Sequence, residues 1–351
     1  MKENFSSQKP PDRPLLGLLT TGGTIAGTGD TPTQTVGYRA GAQDAATLLA
    51  AVPALASIAR FQSEAVAAID SKDITEALWR TLAARTQKLL EDPTITGVLI
   101  THGTDTLEET AYFLALTLRG EKPVILTGAM RPATALSADG PANLWNAARL
   151  ALSPKARGRG VLVTMNDDIF TAATVTKRAA YRRNAFAAER GGPAGRIAGE
   201  DICFFHPSAP APLSFPIPDA PLPKVVILYG YAGDDGTLIR AALRSGAKGI
   251  VYAGAGMGSI PAPAAKALLA ARAKGVAIVR ASRLPDGLVL SHREPAQKEK
   301  SEPTAPSSED TILASGPLSP VKARILLQCA LSQKTPLAAL PQIFRQAAGL
   351  P

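Results

Sequence analysis

The stretch Leu15-Leu16-Gly17-Leu18-Leu19-Thr20-Thr21-Gly22-Gly23-Thr24-Ile25-Ala26-Gly27 decides how this chain is read. An apolar run from Leu15 to Leu19 has the length and composition of a buried strand, and it ends in hydroxyls and glycines. The pattern recurs about eighty residues on, where Ile95 to Ile100 leads into Thr101-His102-Gly103-Thr104-Asp105-Thr106-Leu107-Glu108-Glu109. Open parallel sheets place chemistry in the loops beyond the carboxyl ends of their strands, so both signatures stand where a site is expected. The glycines beside Thr24 permit positive φ and a close approach of backbone to ligand. A threonine hydroxyl is a weak nucleophile that needs a base or a relay, a role open to Asp105. The competing reading is a phosphate cradle. No Gly-Lys-Ser/Thr follows and no G-x-G-x-x-G opens the first helix, which disfavours both P-loop and dinucleotide sites.

Outward from the signatures, apolar runs alternate with helical patterns. Thr106-x-x-Glu109 reads as a capping box, with Leu107, Ala111, Leu114 and Leu118 on one helical face ending near Gly120. A strand at Val124 to Thr127, a helix started by Asp139-Gly140-Pro141 and a strand at Val161 to Met165 follow in βαβ rhythm. The expected fold class is α/β with two α/β domains. The larger N-terminal domain, 14–206, carries the threonine signatures on a mostly parallel sheet; a proline-rich linker occupies 207–223; a smaller C-terminal α/β domain covers 224–351. In the second domain strands are expected at Val225 to Tyr229, Gly249 to Ala253 and Val276 to Ala281, and a helix at Pro261 to Lys274. A last long helix starts at Pro320, capped by Ser319. The segment 294–310 is rich in Pro, Ser, Glu and Lys and reads as a polar insert.

Composition narrows the function classes. Apolar residues make up 46% of 351 and charged ones 19%, which fits a globular chain with full cores. No apolar stretch reaches the roughly 18 to 20 residues of a membrane span. Met1 to Pro14 is polar and proline-bearing, so the expected compartment is the cytoplasm. The net charge of +9 raises nucleic acid as a partner, but the densest basic group, Lys177, Arg178, Arg182 and Arg183, has no stacking aromatics interleaved. A solvated basic surface is expected instead. Cys203 and Cys329 lack C-x-x-C spacing and read as two buried thiols. His102, His206 and His292 form no H-E-x-x-H, so neither a metal nor a cofactor is expected.

Taken together, the two signatures resemble the bacterial L-asparaginase family, in the type II-like branch that also holds the glutaminase-asparaginases. The resemblance continues through Val36-Gly37-Tyr38-Arg39-Ala40-Gly41, Ala51-Val52-Pro53, Gly128-Ala129-Met130-Arg131-Pro132 and Ser137-Ala138-Asp139-Gly140-Pro141. It extends to Met165-Asn166-Asp167, Val175-Thr176-Lys177 and Lys322-Ala323-Arg324-Ile325-Leu326-Leu327-Gln328. It implies an amidohydrolase that converts L-asparagine to L-aspartate and ammonia, with secondary glutaminase activity. By the same resemblance Thr24 is the nucleophile that forms a β-aspartyl ester, and Tyr38 is the mobile-loop tyrosine that closes over it. Thr104, Asp105 and Lys177 match a second hydroxyl, carboxylate and amine cluster, with Lys177 either close to neutral or acting as a charge relay. Asp105 also suits the substrate's α-ammonium and Ser71 its α-carboxylate. Backbone N–H groups near Gly23 and Thr104 are expected as oxyanion donors.

The resemblance further implies a homotetramer, a dimer of dimers, in which Glu294 of a neighbouring subunit completes the substrate site. Three positions depart from the pattern. Glu294 stands at the edge of the polar insert, Met257 occupies a place where relatives carry Asn or Ser, and Lys72 replaces the usual Gln or Glu beside Ser71. An ammonium at Lys72 within about 4 Å of the substrate's own would cost roughly 1 to 4 kcal/mol. Lys72 is therefore expected to turn outward onto an acid such as Asp73 or Glu294. Two other readings share the signatures, an amidotransferase-type subunit acting on charged tRNA and a non-catalytic amino-acid sensor. The first carries an added amino-terminal domain, whereas 23 residues precede Thr24 here.

Overall fold

A computed structural model of the chain describes residues 13–207, 213–290 and 312–349. Strands β1 (Leu15–Gly22), β2 (Arg60–Ile69), β3 (Ile95–Thr101), β4 (Val124–Thr127) and β5 (Val161–Met165) run parallel, and β6 (Asp168–Thr171) turns back antiparallel on β5. The chain then leaves the sheet for a two-stranded ribbon, β7 (Val175–Lys177) with β8 (Phe186–Ala188). It returns as β9 (Gly195–Ala198) and β10 (Asp201–Phe204), which finish an 8-stranded sheet in the order β10-β9-β6-β5-β4-β3-β1-β2. Strand order reverses at β1, which has β2 on one side and β3 on the other. The two signatures thus leave neighbouring strands at the switch point of the sheet, where the connections diverge and open a crevice.

The central strands are buried almost continuously, and their side chains alternate between the two covered faces of the sheet. Leu16, Leu18 and Leu99 pack with α1 (Ala45–Ala50), α2 (Leu55–Ile58) and α5 (Gly140–Leu152), whereas Leu19, Val98 and Ile100 pack with α3 (Glu76–Glu91) and α4 (Leu107–Thr117). Helix α3 shows why such segments fold: Trp79, Leu82, Ala83, Thr86, Leu89 and Leu90 recur at helical spacing on one buried face, and the Thr75 side chain caps the amide of Leu78. The C-terminal domain is a 4-stranded parallel sheet, β11 (Val225–Tyr229), β12 (Gly249–Gly254), β13 (Ala277–Ser282) and β14 (Leu313–Ala314). Helices α6 (Thr237–Arg244) and α7 (Ala262–Ala273) cover one face. Helix α8 (Pro320–Ser332) covers the other and packs on α4, and α9 (Leu340–Ala347) docks against α8.

One apolar core therefore runs from β1 through α4 and α8 into β12 and β13, joining the domains. Polar side chains of α8 reinforce the join. Arg324 Nη2 donates to Glu76 Oε1 at 3.1 Å, and Gln328 donates to the same carboxylate and to Pro223 O. The proline-rich linker is packed where it is described: Phe215 N donates to Leu116 O at 2.7 Å, and Phe215 and Leu222 are core residues. No helix among the described residues is long and apolar enough to cross a membrane.

Several local expectations are corrected. Thr106 stands at the N-cap of α4 with no side-chain cap bond, because its hydroxyl donates instead to Ser71 O at 2.8 Å. Tying two loops together replaces capping one helix. Ser319 likewise caps α8 by position only, without a side-chain bond. Cys203 is exposed on the edge strand β10, so only Cys329 is a buried thiol. Strand β2 escaped the sequence reading because it is an edge strand with exposed or half-buried residues throughout, and its apolar stretch, Ala65 to Ile69, is mostly alanine, a poor strand former. The insert 294–310, Glu294 included, lies outside the described residues.

A close backbone approach joins the signatures. Gly23 has φ +79°, and a Cβ placed on it would stand 2.3 Å from Gly103 Cα. Gly23→Ala should therefore cost at least about 2 kcal/mol, from left-handed strain plus a clash with backbone that cannot rotate away. The check is a fall in the denaturant midpoint at unchanged slope.

Candidate active site

The Thr24 turn is a short 3-10 helix, Thr24–Ala26, that follows β1 directly. It is braced from three sides: Gly23 N donates to Ile69 O at 2.8 Å, Gln43 N to Ala26 O at 3.0 Å, and Ala133 N to Gly27 O at 2.9 Å. The loop carrying Ala133 is itself fixed by Asp139, whose carboxylate accepts from Met130 N and Arg131 N, each at 2.9 Å. Thr24 is buried, and its Oγ1 lies 2.6 Å from the phenol oxygen of half-buried Tyr38. Burial pushes the Tyr38 phenol above its ordinary range, with Asp70, Asp105 and Asp139 adding to the rise and the Thr24 bond opposing it. The phenol is therefore neutral at physiological pH and can donate or accept.

The second signature forms its own cluster. Lys177 Nζ donates to Thr104 Oγ1 at 2.8 Å and to Asp105 Oδ1 at 2.6 Å. Because the ammonium donates, the hydroxyl hydrogen of Thr104 is left uncommitted to Lys177. Ser71, buried after β2, accepts from Asp105 N at 3.2 Å through its Oγ, so its hydroxyl hydrogen is also free of that bond. The crevice thus presents hydroxyl donors at Ser71 and Thr104, the remaining lone pairs of Asp105, and the Thr24–Tyr38 pair. Asp105 is 59% exposed at its side chain, so the site is open to solvent on that side.

Among the backbone donors expected near Gly23, the Gly23 N–H itself is committed to Ile69 O. Lys72 is turned away from the crevice: its side chain is 61% exposed and pairs with Asp73 and Asp70. Met257 is exposed in a turn of the C-terminal domain. His102, inside the second signature, is structural. Its Nδ1 lies 2.7 Å from Gly103 O and so carries the hydrogen, while Nε2 accepts from Thr110, which accepts from Trp79 Nε1. Burial pushes this imidazole down to about 4, which keeps it neutral. Among the described residues no group of His, Cys, Asp and Glu is arranged to hold a metal ion.

This arrangement can be compared with known proteins. The model of the N-terminal asparaginase domain matches residues 16–210, and that of the glutaminase/asparaginase C-terminal domain matches 224–344. The chain belongs to the asparaginase family. It is similar to L-asparaginase 2 of Bacillus subtilis, 41% identical over 93% of this chain and 85% of that protein, and to L-asparaginase 2 of Escherichia coli, 40% identical over 95% and 93%. A glutaminase-asparaginase of Pseudomonas fluorescens is 39% identical over 93% of this chain and 89% of its own. Among solved structures, one named "Probable Cytoplasmic L-asparaginase" from Campylobacter jejuni superposes with a TM-score of 0.86 at 38% identity, covering 95% of this chain and all of that one.

Two residues that touch the asparaginase-family site carried no role in the sequence reading. Glu108 Oε1 accepts from Lys177 N at 3.2 Å, and Asp139 closes the loop behind Thr24. Glu108 sits inside the quoted second signature, so the signal was present, but a buried acid on a helix's first turn cannot be told from an exposed one by spacing. The Met165-Asn166-Asp167 motif is a turn: Asn166 and Asp167 have φ of 50° and 67°, and Asn143 and Asn146 hold them. For Tyr38 the raised phenol has a direct readout. Subtracting the ultraviolet pH titration of Tyr38→Phe from that of the native protein should show the Tyr38 phenolate forming at higher pH than that of a free tyrosine.

Proposed function

We propose that the protein is an L-asparaginase, an amidohydrolase converting L-asparagine to L-aspartate and ammonia, with asparagine preferred over glutamine. The observation that carries the reading is the pairing of two buried threonine hydroxyls, each with one polar partner, in loops that touch backbone to backbone. Family membership and relatives named as asparaginases and glutaminase-asparaginases support it.

In this reading the substrate's α-carboxylate takes the free hydroxyl of Ser71 and its α-ammonium takes Asp105. Thr24 Oγ1 attacks the side-chain carbonyl carbon, with Tyr38 accepting the hydroxyl hydrogen bond and closing the site against water. The threonine proton passes to the leaving nitrogen, the C–N bond breaks, and ammonia departs. Water then cleaves the β-aspartyl ester, giving aspartate and restoring the hydroxyl. Thr104, Lys177 and Asp105 form the proton path on the facing wall. Because both α groups are anchored, one extra methylene misplaces the carbonyl, which is the basis for preferring asparagine.

The N-terminal domain, 14–206, supplies these groups, and the C-terminal domain, 224–351, supplies the contacts of a homotetramer built as a dimer of dimers. Exposed Tyr229, Tyr231, Met257 and Leu284 on that domain support burial against another copy, which would bring in Glu294. Compartment is assigned to the cytoplasm, following the Campylobacter neighbour, although the Haemophilus influenzae relative is named as periplasmic.

Ammonia release from asparagine, glutamine and D-asparagine tests the reading, and no release from any of them leaves the sensor. Thr24→Ala should lose all but a few per cent of the native rate while remaining folded, since the lost hydrogen bond is worth only about 1 kcal/mol to stability. Aspartate binding by calorimetry should survive in that variant. Substantial residual turnover would remove Thr24 as nucleophile.

The departure at Lys72 gives a second expectation. Its outward pairing spares the substrate a direct clash, yet a positive charge stays at the rim where relatives place an acceptor. Lys72→Gln should lower KM for asparagine with little change in kcat, the pattern of uniform binding gained. An unchanged or higher KM would show that Lys72 assists binding.

A further inference from the structure

Lys322, at the start of α8, is 2% exposed, and it reaches from the C-terminal domain into the N-terminal one. Its ammonium donates to Ala173 O at 3.0 Å and to Val175 O, the two carbonyls that lead into and open β7. Two residues beyond Val175 on the same short strand stands Lys177. The Lys322 ammonium also lies 3.9 Å from Glu108 Oε2, an oxygen that is buried without a hydrogen-bond partner of its own. The other oxygen of that carboxylate, Oε1, accepts from Lys177 N. A buried cation thus grips β7 by its carbonyls, and a buried carboxylate grips it by the amide of Lys177. Neither contact belongs to the sheet or to a helix, and both act on a three-residue strand that, among the described residues, pairs with β8 alone.

We propose that Lys322 and Glu108 are positioning residues for Lys177, an inter-domain clamp that fixes the backbone of β7 so that the Lys177 ammonium meets Thr104 and Asp105. The inference rests on the asparaginase reading of the site. An isolated two-stranded ribbon has little stability of its own. Small displacements of a catalytic group are costly in rate, so a device that holds three residues in place is expected where one of them is reactive. The clamp is also an unfavourable way to obtain stability alone, since two charges lose their hydration for an interaction at 3.9 Å without a direct hydrogen bond. Burial holds the Lys322 ammonium down to about 8, which leaves it mostly charged at neutral pH, and burial raises the Glu108 carboxyl. The polar head of Lys322 and its motif neighbours Arg324 and Gln328 all act across the domain boundary, but only Lys322 is directed at the ribbon bearing Lys177.

The test compares steady-state kinetics of the full-length protein on asparagine in Lys322→Met, Glu108→Gln and the double variant Lys322→Met/Glu108→Leu, with Lys177→Met alongside. Lys322→Met should lower kcat at least about tenfold with KM within about threefold, because the substrate's α groups are held elsewhere. The double variant removes both buried charges together and should recover thermal stability toward the native value without recovering kcat. A purely structural clamp predicts that kcat returns with stability, and that result, or a folded Lys322→Met within about twofold of native kcat, overturns the proposal. Should Lys322→Met fail to fold, Glu108→Gln is decisive. It keeps an acceptor for the Lys177 amide but leaves Lys322 without its counter-charge, so a loss of kcat of about fivefold or more supports the clamp and native kcat overturns it. Lys177→Met separates the two levels. If it stays active, Lys177 has no part in the reaction and the clamp falls with it; native protein that releases no ammonia from asparagine defeats the asparaginase reading itself, whereas an inactive Lys177→Met beside a fully active Lys322→Met defeats the clamp alone.

Discussion

The contact of Gly23 with Gly103 is the constraint on which the site depends. Two strands of a parallel sheet stand about 5 Å apart, and their side chains alternate between the faces, so the loops that leave adjacent carboxyl ends ordinarily diverge. Here both loops lack a side chain at the point of meeting, and the backbones close to van der Waals distance. The hydroxyls one residue further along, Thr24 and Thr104, are thereby brought to the same crevice. The surrounding bonds serve this junction: Thr21 Oγ1 to Thr101 O ties the strand ends, and Thr106 and Asp105 both engage Ser71. The three loops after β1, β2 and β3 are bonded directly to one another.

A second layer of control comes from outside the sheet. The acids Glu76, Glu108 and Glu109 face the α8 cations Lys322 and Arg324 across the domain boundary, at distances from 3.1 to 3.9 Å. Pairs that are partly or wholly desolvated are poor contributors to net stability, but they are strict about geometry, because leaving one member unpaired costs several kcal/mol. The apolar core shared by α4 and α8 supplies the affinity between domains, and these polar contacts set the register. The consequence for chemistry is that β7, which carries Lys177, is held from both domains at once.

Legibility from sequence followed hydrophobic density. Strands β1, β3, β4, β5, β11, β12 and β13 were readable because each is an apolar run bounded by turn residues, and the two threonine signatures were readable because they follow such runs. The edge strands β2 and β10, and the short β9 beside β10, were not, since partly exposed strands carry no long run of strongly apolar residues. The motif residues Thr24, Tyr38, Ser71, Thr104, Asp105 and Lys177 were nameable by resemblance. Their pairing into a Thr24–Tyr38 unit and a Lys177-centred unit was not, because no spacing in the sequence encodes which side chains meet.

The sequence by itself determined the α/β class, the family and the chemical types at the crevice, since these depend on local periodicity and on residue identity within short motifs. Tertiary structure alone decided how those types are used. It assigned the Thr106 hydroxyl to Ser71 and not to a cap, committed the Gly23 amide to Ile69, turned Lys72 onto Asp73, and buried Lys322 against a strand nearly 150 positions away. The physical reason is competition. Each polar group has several partners within reach of the local chain, and only the packed arrangement of both domains fixes which of them is nearest and which is still accessible to water.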